Sequence, residues 1–306
     1  MKERLLSWWF APLPARRLAL LRIFVGAFAL IYSAVRAPSM TSVAEFAAAR
    51  FEPVGVAALL HQPLPAGALL GGVALSLLLG AAFTVGFRFS VTGPAFALVL
   101  LCLTTYRSSW GMIFHTENLL TLHVMLLAAS PASDALSWDA RARRQAPHDA
   151  ADGRYGWAIQ AMSLITVVAY FVAGIAKLKL SGGTWLGGEL LRAQIAYDNL
   201  RKLELGTRVS PLGPWLVRHA FVFPPLALLT MLVELGAPLA LLNRRVALAW
   251  LIAAWCFHLG VLTTMSIAFI YQLSGVAYLS FLPLEQLLER LQARLQKSSV
   301  SPSGTA

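Results

Sequence analysis

Three observations on this sequence predict an all-α polytopic membrane bundle. Of the 306 residues 58% are apolar, only 13% are charged, and the apolar residues gather into runs of bilayer-spanning length. A soluble domain carries roughly a quarter charged residues, so an ordinary cytosolic domain and a disordered chain are both excluded. The two cysteines, Cys102 and Cys256, fall inside apolar runs, where they act as small hydrophobes and build no disulfide scaffold. A helix that crosses the hydrocarbon core needs about 20 apolar residues. Lipid supplies no partner for an unpaired backbone group, so each run is expected as a helix, and no alternating ten-residue strands of a barrel occur.

The elements follow in order. Residues 2–11, KERLLSWWFA, pair Trp8 and Trp9 with Lys2 and Arg4, which suits a helix at the headgroup level, and 1–14 is read as an interfacial segment. Eight spans are expected, at about 18–35, 66–86, 89–106, 111–130, 157–180, 220–242, 246–265 and 267–283, within a transmembrane domain over 15–283. The first is longer than the core of a cleavable signal and is read as retained. Between the fifth and sixth spans, TWLGGELLRAQIAYDNLRKL reads as a helix at the outer surface, closed near Gly206. Residues 139–154 form the most loop-like stretch. In 284–297, Leu284, Leu287, Leu288, Leu291 and Leu295 share one helical face, which predicts a cytoplasmic amphipathic helix, and 298–306 reads as a disordered tail.

Counting Lys and Arg by connection, with the N-terminus inside, gives fourteen on the inner side and eight on the outer, five of those eight in one long connection. Positive charge in short loops marks the cytoplasmic side, so both termini are expected there. The net charge of +11 is spread between apolar runs and forms no single wettable basic face, so anionic lipid is the expected partner and nucleic acid is not.

Ionisable groups inside spans are costly and therefore informative. The first span holds Arg22, expected to snorkel or face the bundle. The fourth holds His115, Glu117, Asn118 and His123; His115 and Asn118 share a face, and Glu117 points about 100° from Asn118. In the fifth, Tyr170, Gly174 and Lys177 fall at i, i+4 and i+7 on one stripe. Gly174 leaves room beside the lysine for a ligand or another backbone. A cavity of low dielectric disfavours the charged amine and makes Lys177 a usable base near neutral pH; a snorkelling anchor is the plainer reading. Glu234 lies deep in the sixth span and is expected to be protonated or paired; His258 is central in the seventh. No metal site is expected, nor a nucleotide-binding or hydrolase motif. His115 and His123 lie two turns apart, and a haem is not expected from them with His258.

The run YFVAGIAKLKLSGGTWLGGELL (170–191) resembles the Tyr-Phe-X-Ala-Gly-X-X-Lys-Leu…Trp-X-X-Gly segment of the vitamin K-dependent γ-glutamyl carboxylases and of the wider HTTM group of carboxylase-like bacterial membrane proteins. ALLRIFVGAFAL, ENLLTL (117–122), LSWDAR (136–141) and FHLGVLTTM (257–265) agree with it in order. The resemblance implies that Lys177 deprotonates a reduced, vitamin K-like quinone at the outer face of a bacterial cytoplasmic membrane. In the carboxylases oxygen then adds and a strong base forms that carboxylates a glutamate. Lys177 is the matching base; the polar residues read in the spans add His258, Glu117 and Asn118 as catalytic candidates that polarise or orient the substrate, and Tyr170, Gly174, Trp185 and Glu234 as candidates for holding the quinone. Ala176 stands where carboxylases commonly have a first lysine, and Asp134 where a loop histidine is expected. Only 23 residues follow Pro283, so peptide carboxylation is not expected. The competing expectation is a non-catalytic membrane component that binds lipid or a membrane or periplasmic partner protein.

Overall fold

The structure, a computed structural model, describes residues 2–111, 113, 115–143 and 151–299, and the side chains of these except His115, Thr116 and 297–299. Much of the loop expected over 139–154, and nearly all of the tail expected over 298–306, lie outside the described residues. Thirteen α-helices occur among them: α1 (Lys2–Trp9), α2 (Ala15–Thr41), α3 (Ala66–Val85), α4 (Phe89–Ser108), α5 (His115–Ala128), α6 (Trp138–Ala142), α7 (Gly153–Ser181), α8 (Glu189–Glu204), α9 (Leu212–Val217), α10 (Phe223–Leu235), α11 (Arg244–Met265), α12 (Ile270–Leu273) and α13 (Leu284–Ser299). No β-strand occurs among the described residues. The helices that begin at Ala15, Ala66, Phe89, Gly153 and Arg244 are long and apolar enough to cross a membrane, and residues 117–128 and 220–235 form shorter apolar helices.

Three expected spans take a different form, each for a local reason. The fourth becomes α5, 14 residues long. The sixth ends as an α-helix at Leu235, and Ala237–Leu241 continues as a 3-10 turn with Pro238 at its start. Proline has no N–H to donate and its ring collides with the preceding turn. The eighth divides into α12 and the 3-10 helix Val276–Phe281, separated by Gly275 at φ +79°. A left-handed residue ends an α-helix there.

The chain forms two compact bodies, residues 1–161 with 282–306 and residues 162–281, with α7 running through both. In the first, α2 packs on α3, α3 on α4 and α4 on α5, and α5 returns to α2. Gly26 brings α2 and α3 close: a Cβ there would lie 2.7 Å from Thr84 Oγ1. Phe83 meets both Phe89 and Phe96 with tilted rings in this core. Arg22 is fully buried and does not snorkel. It donates to the carbonyls of Ala132 (3.2 Å) and Leu136 (2.7 Å) and so ties the chain turn between α5 and α6 to α2. Asp139 accepts from the N–H groups of Arg88 and Phe89, both at 2.8 Å, and so caps α4.

One end of this body gathers several chain ends. Arg17, at the start of α2, donates through Nε to Glu285 of α13 at 2.8 Å, and the backbones of Leu13 and Asp152 bond reciprocally just before α7. The starts of α2, α7 and α13 therefore share one side. In the second body α8 packs on α9, and α10 and α11 pack on each other and on α8. Two carbonyls at the end of α11 are satisfied by α8: Asn199 donates to Thr264 at 2.9 Å, and Lys202 to Met265.

Candidate functional site

The C-terminal half of α7 carries the stripe Tyr170, Gly174 and Lys177. The space beside Gly174 is filled by α10: a Cβ on that glycine would lie 2.8 Å from Leu235 Cδ2 and 3.1 Å from Glu234 Cβ. Pro224 and Pro225 open α10, where a missing N–H costs nothing, and set the helix on its course. The close approach brings Glu234 one turn along the stripe to Lys177, whose Nζ donates to Oε1 at 2.5 Å. Glu234 is 5% exposed and Lys177 25%. The amine also lies over the rings of Trp185 (4.9 Å) and Phe257 (5.6 Å), a favourable setting for a cation. Trp185, in the 3-10 helix Gly182–Gly187, is itself held by Thr230 of α10, its Nε1 donating at 3.3 Å. Lys179, two residues on, is exposed.

A cavity of about 400 Å³ is lined by Lys177 and Trp185 together with Gln194 of α8, Leu229 and Val233 of α10, and Cys256 and Gly260 of α11. Its size falls in the range of small-molecule sites. The Oε2 atom of Glu234 is buried with no hydrogen-bond partner among the described residues.

Three further side chains form a buried chain in the same body. Tyr170 Oη is 2.7 Å from His258 Nε2 and 2.6 Å from Tyr278 Oη. Trp250 meets the Tyr170 ring edge-on at 5.0 Å. His258 Nδ1 is buried without a partner among the described residues, and Phe269 packs on the ring at 4.8 Å.

Glu117 and Asn118 belong to the first body, and the pairing of Glu117 is made there. It accepts from Tyr32 Oη at 2.8 Å and from Arg107, and is fully buried. Asn118 is exposed, and the side chain of His115 lies outside the described residues. So Lys177, Glu234, Tyr170, Gly174, Trp185 and His258 fall in one body; Glu117 and Asn118 fall in the other. Sequence reasoning missed Tyr32, Arg107, Trp250 and Tyr278. Arg107 could have been found, since α4 and α5 are joined by a short link and a buried carboxylate needs a cation. Tyr278 carried no signal within an apolar run. Among the described residues no group of three or more His, Cys, Asp or Glu side chains is arranged to hold a metal ion.

Helices of spanning length, a partly buried Lys177–Glu234 ion pair and a cavity with mostly apolar lining define an integral α-helical membrane protein. A family model described as the HTTM domain matches residues 10–281. The chain belongs to the HTTM family, which is related to the membrane region of the vitamin K-dependent carboxylases. No curated protein and no solved structure matches it.

Proposed function

We propose that this protein is a membrane enzyme that takes a proton from a lipid-soluble quinol, with Lys177 as the accepting group. The observation that carries this reading is that Lys177, which lines an apolar cavity, donates to the buried Glu234 at 2.5 Å. In a dry setting separated charge is costly, and a proton can pass along so short a bond from Nζ to Oε1. The neutral amine then holds a lone pair toward the cavity and accepts the hydroxyl proton of the substrate. A deprotonated hydroquinone supplies an electron-rich ring that reacts with oxygen. Trp185 and Phe257 keep water from the amine and favour its cationic form once the proton has arrived.

The lining fits such a substrate: Lys177 supplies the basic group, and most of the remaining residues are aliphatic or aromatic. His258 acts through Tyr170, which it holds at 2.7 Å; the pair fixes the stripe that carries Lys177. The positive charges counted on the inner side support a reading in which the cavity faces the outer leaflet of a bacterial cytoplasmic membrane and both termini lie in the cytoplasm. The meeting of α2 and α13 at one end supports an even number of crossings.

The test is oxygen consumption by the purified protein in lipid nanodiscs supplied with a tailed naphthohydroquinone. Wild type is expected to exceed Lys177→Met by at least tenfold after subtraction of the protein-free rate. Equal rates in two correctly inserted proteins would sink the proton-transfer reading.

A further inference from the structure

We infer that α13 is a membrane-surface arm that binds anionic phospholipid headgroups. Its leucine stripe enters the lipid at the edge of the first body, and Arg290 and Arg294 meet the headgroups. This surface belongs to the first body and is independent of the proton transfer proposed for Lys177.

The seat follows from how α13 is held. Pro283 and Leu284 are buried, and Arg17 at the start of α2 donates to Glu285 through both Nε, at 2.8 Å, and Nη2. Arg16 lies 3.8 Å from Glu289, one turn further along. The leucines are exposed from the end of the first turn onward: Leu287 is 42% exposed, Leu291 54% and Leu295 60%. A helix of 16 residues is marginal in water by itself, so such a stripe calls for an apolar cover. The helix begins directly after Pro283, beside the first residues of the spanning helix α2, which brings the stripe to the edge of the hydrocarbon.

The occupant follows from charge. At about 100° per residue, Glu285 and Glu289 fall together on one side of the leucine stripe, and Arg290 and Arg294 fall on the other. Both glutamates meet Arg16 and Arg17, so the acidic side of α13 is matched within its own body. Arg290 and Arg294 are exposed. An arginine beside an apolar stripe lays its stem on apolar surface and holds its guanidinium at headgroup level. The helix α1 repeats this pairing at the same end: Leu5 is 62% and Leu6 46% exposed, beside the exposed Lys2 and Arg4 and a single acid, Glu3. The link after α1 is seated on the start of α7, where a Cβ on Gly153 would lie 2.7 Å from the Phe10 carbonyl oxygen. Two helices that expose leucines and cations together at one end complement an anionic lipid surface.

The experiment follows amide exchange of residues 284–296 in the full-length protein, held in nanodiscs of phosphatidylcholine alone or with a third of it replaced by phosphatidylglycerol. Exchange is expected to slow by about tenfold or more with phosphatidylglycerol, each arginine near an anionic surface contributing roughly fivefold. Arg290→Gln/Arg294→Gln should remove that slowing and leave exchange in phosphatidylcholine unchanged; both positions are exposed, so the fold is not at stake. Leu291→Gln/Leu295→Gln should speed exchange in both lipids. Equal exchange of the wild type in the two lipids, or a slowing that the arginine variant keeps, would overturn the anionic headgroup as the occupant. Unchanged exchange in the leucine variant would overturn the seat of the stripe. Slowing that follows the number of protein copies per disc instead of the lipid charge would overturn the proposal in favour of a second copy of the chain, which the heptad spacing of Leu284, Leu288, Leu291 and Leu295 also fits.

Discussion

Cutting the Lys177–Glu234 pair from its two sides should have unequal costs, and the structure fixes which side costs more. Glu234 is 5% exposed and its Oε2 already lacks a partner among the described residues. Lys177→Met leaves that carboxylate buried with neither oxygen satisfied, the case for which losses of about 3–5 kcal/mol are typical. Glu234→Gln leaves an amine that is 25% exposed, lies over two aromatic rings and can straighten toward the surface. The rings retain about 0.5–2 kcal/mol of attraction each, and the loss there is expected at about 1–2 kcal/mol. The double variant Lys177→Met/Glu234→Gln removes both charges and leaves a buried neutral amide beside an apolar side chain, for which a loss of about 1–2 kcal/mol is expected. The cycle then yields a coupling of about 3 kcal/mol or more. Reversible unfolding in mixed micelles, followed by tryptophan fluorescence, measures all four proteins. A coupling below about 0.5 kcal/mol, or a Glu234→Gln loss larger than that of Lys177→Met, would refute the reasoning.

Two further outcomes are expected. Gly174→Ala and Gly260→Ala both add one methyl to a helix, yet the first should lower stability by about 1 kcal/mol net, because its Cβ would meet Leu235 and Glu234, and the second should raise it by about 0.5–1 kcal/mol through helix propensity; equal responses would show that the close approach of α7 and α10 is not as described. Burial pushes the Glu285 carboxyl up, but hydrogen bonds from Arg17 and the backbone more than reverse this and hold it below its ordinary value. Its contribution to the docking of α13 is therefore complete above about pH 4.3 and is lost as the pH falls through the lower folded value. Amide exchange of residues 284–299, corrected for intrinsic rate, should rise over that acid window, and Arg17→Gln should abolish the step.

Much of the membrane architecture was legible because its signals are local. Long apolar runs without charge could only be helices in lipid, and α2, α3, α4, α7 and α11 fall where composition put them. The amphipathic pattern after Pro283 likewise became α13, whose leucines follow the helical period. The eighth segment shows the limit: hydropathy over 267–283 averaged across Ser274 and Gly275, and the backbone turned there. Glu234 was expected to be protonated or paired, and it is paired; which cation it meets depended on helix order, which periodicity does not encode. Arg22 was expected to snorkel or face the bundle, and only the carbonyls of Ala132 and Leu136, more than a hundred residues away, decided between them.

The sequence by itself determined that the chain is helical and lipid-embedded, because hydropathy and the backbone's need for hydrogen bonds act within single segments. It also determined that Tyr170, Gly174 and Lys177 share a stripe, since that follows from helical period alone. The tertiary structure decided which groups answer them. It seated Glu234 against Lys177, Tyr278 and His258 against Tyr170, and Arg107 and Tyr32 against Glu117. Those pairings are long-range choices, made where a buried charge or lone pair must be met by whatever helix packs beside it.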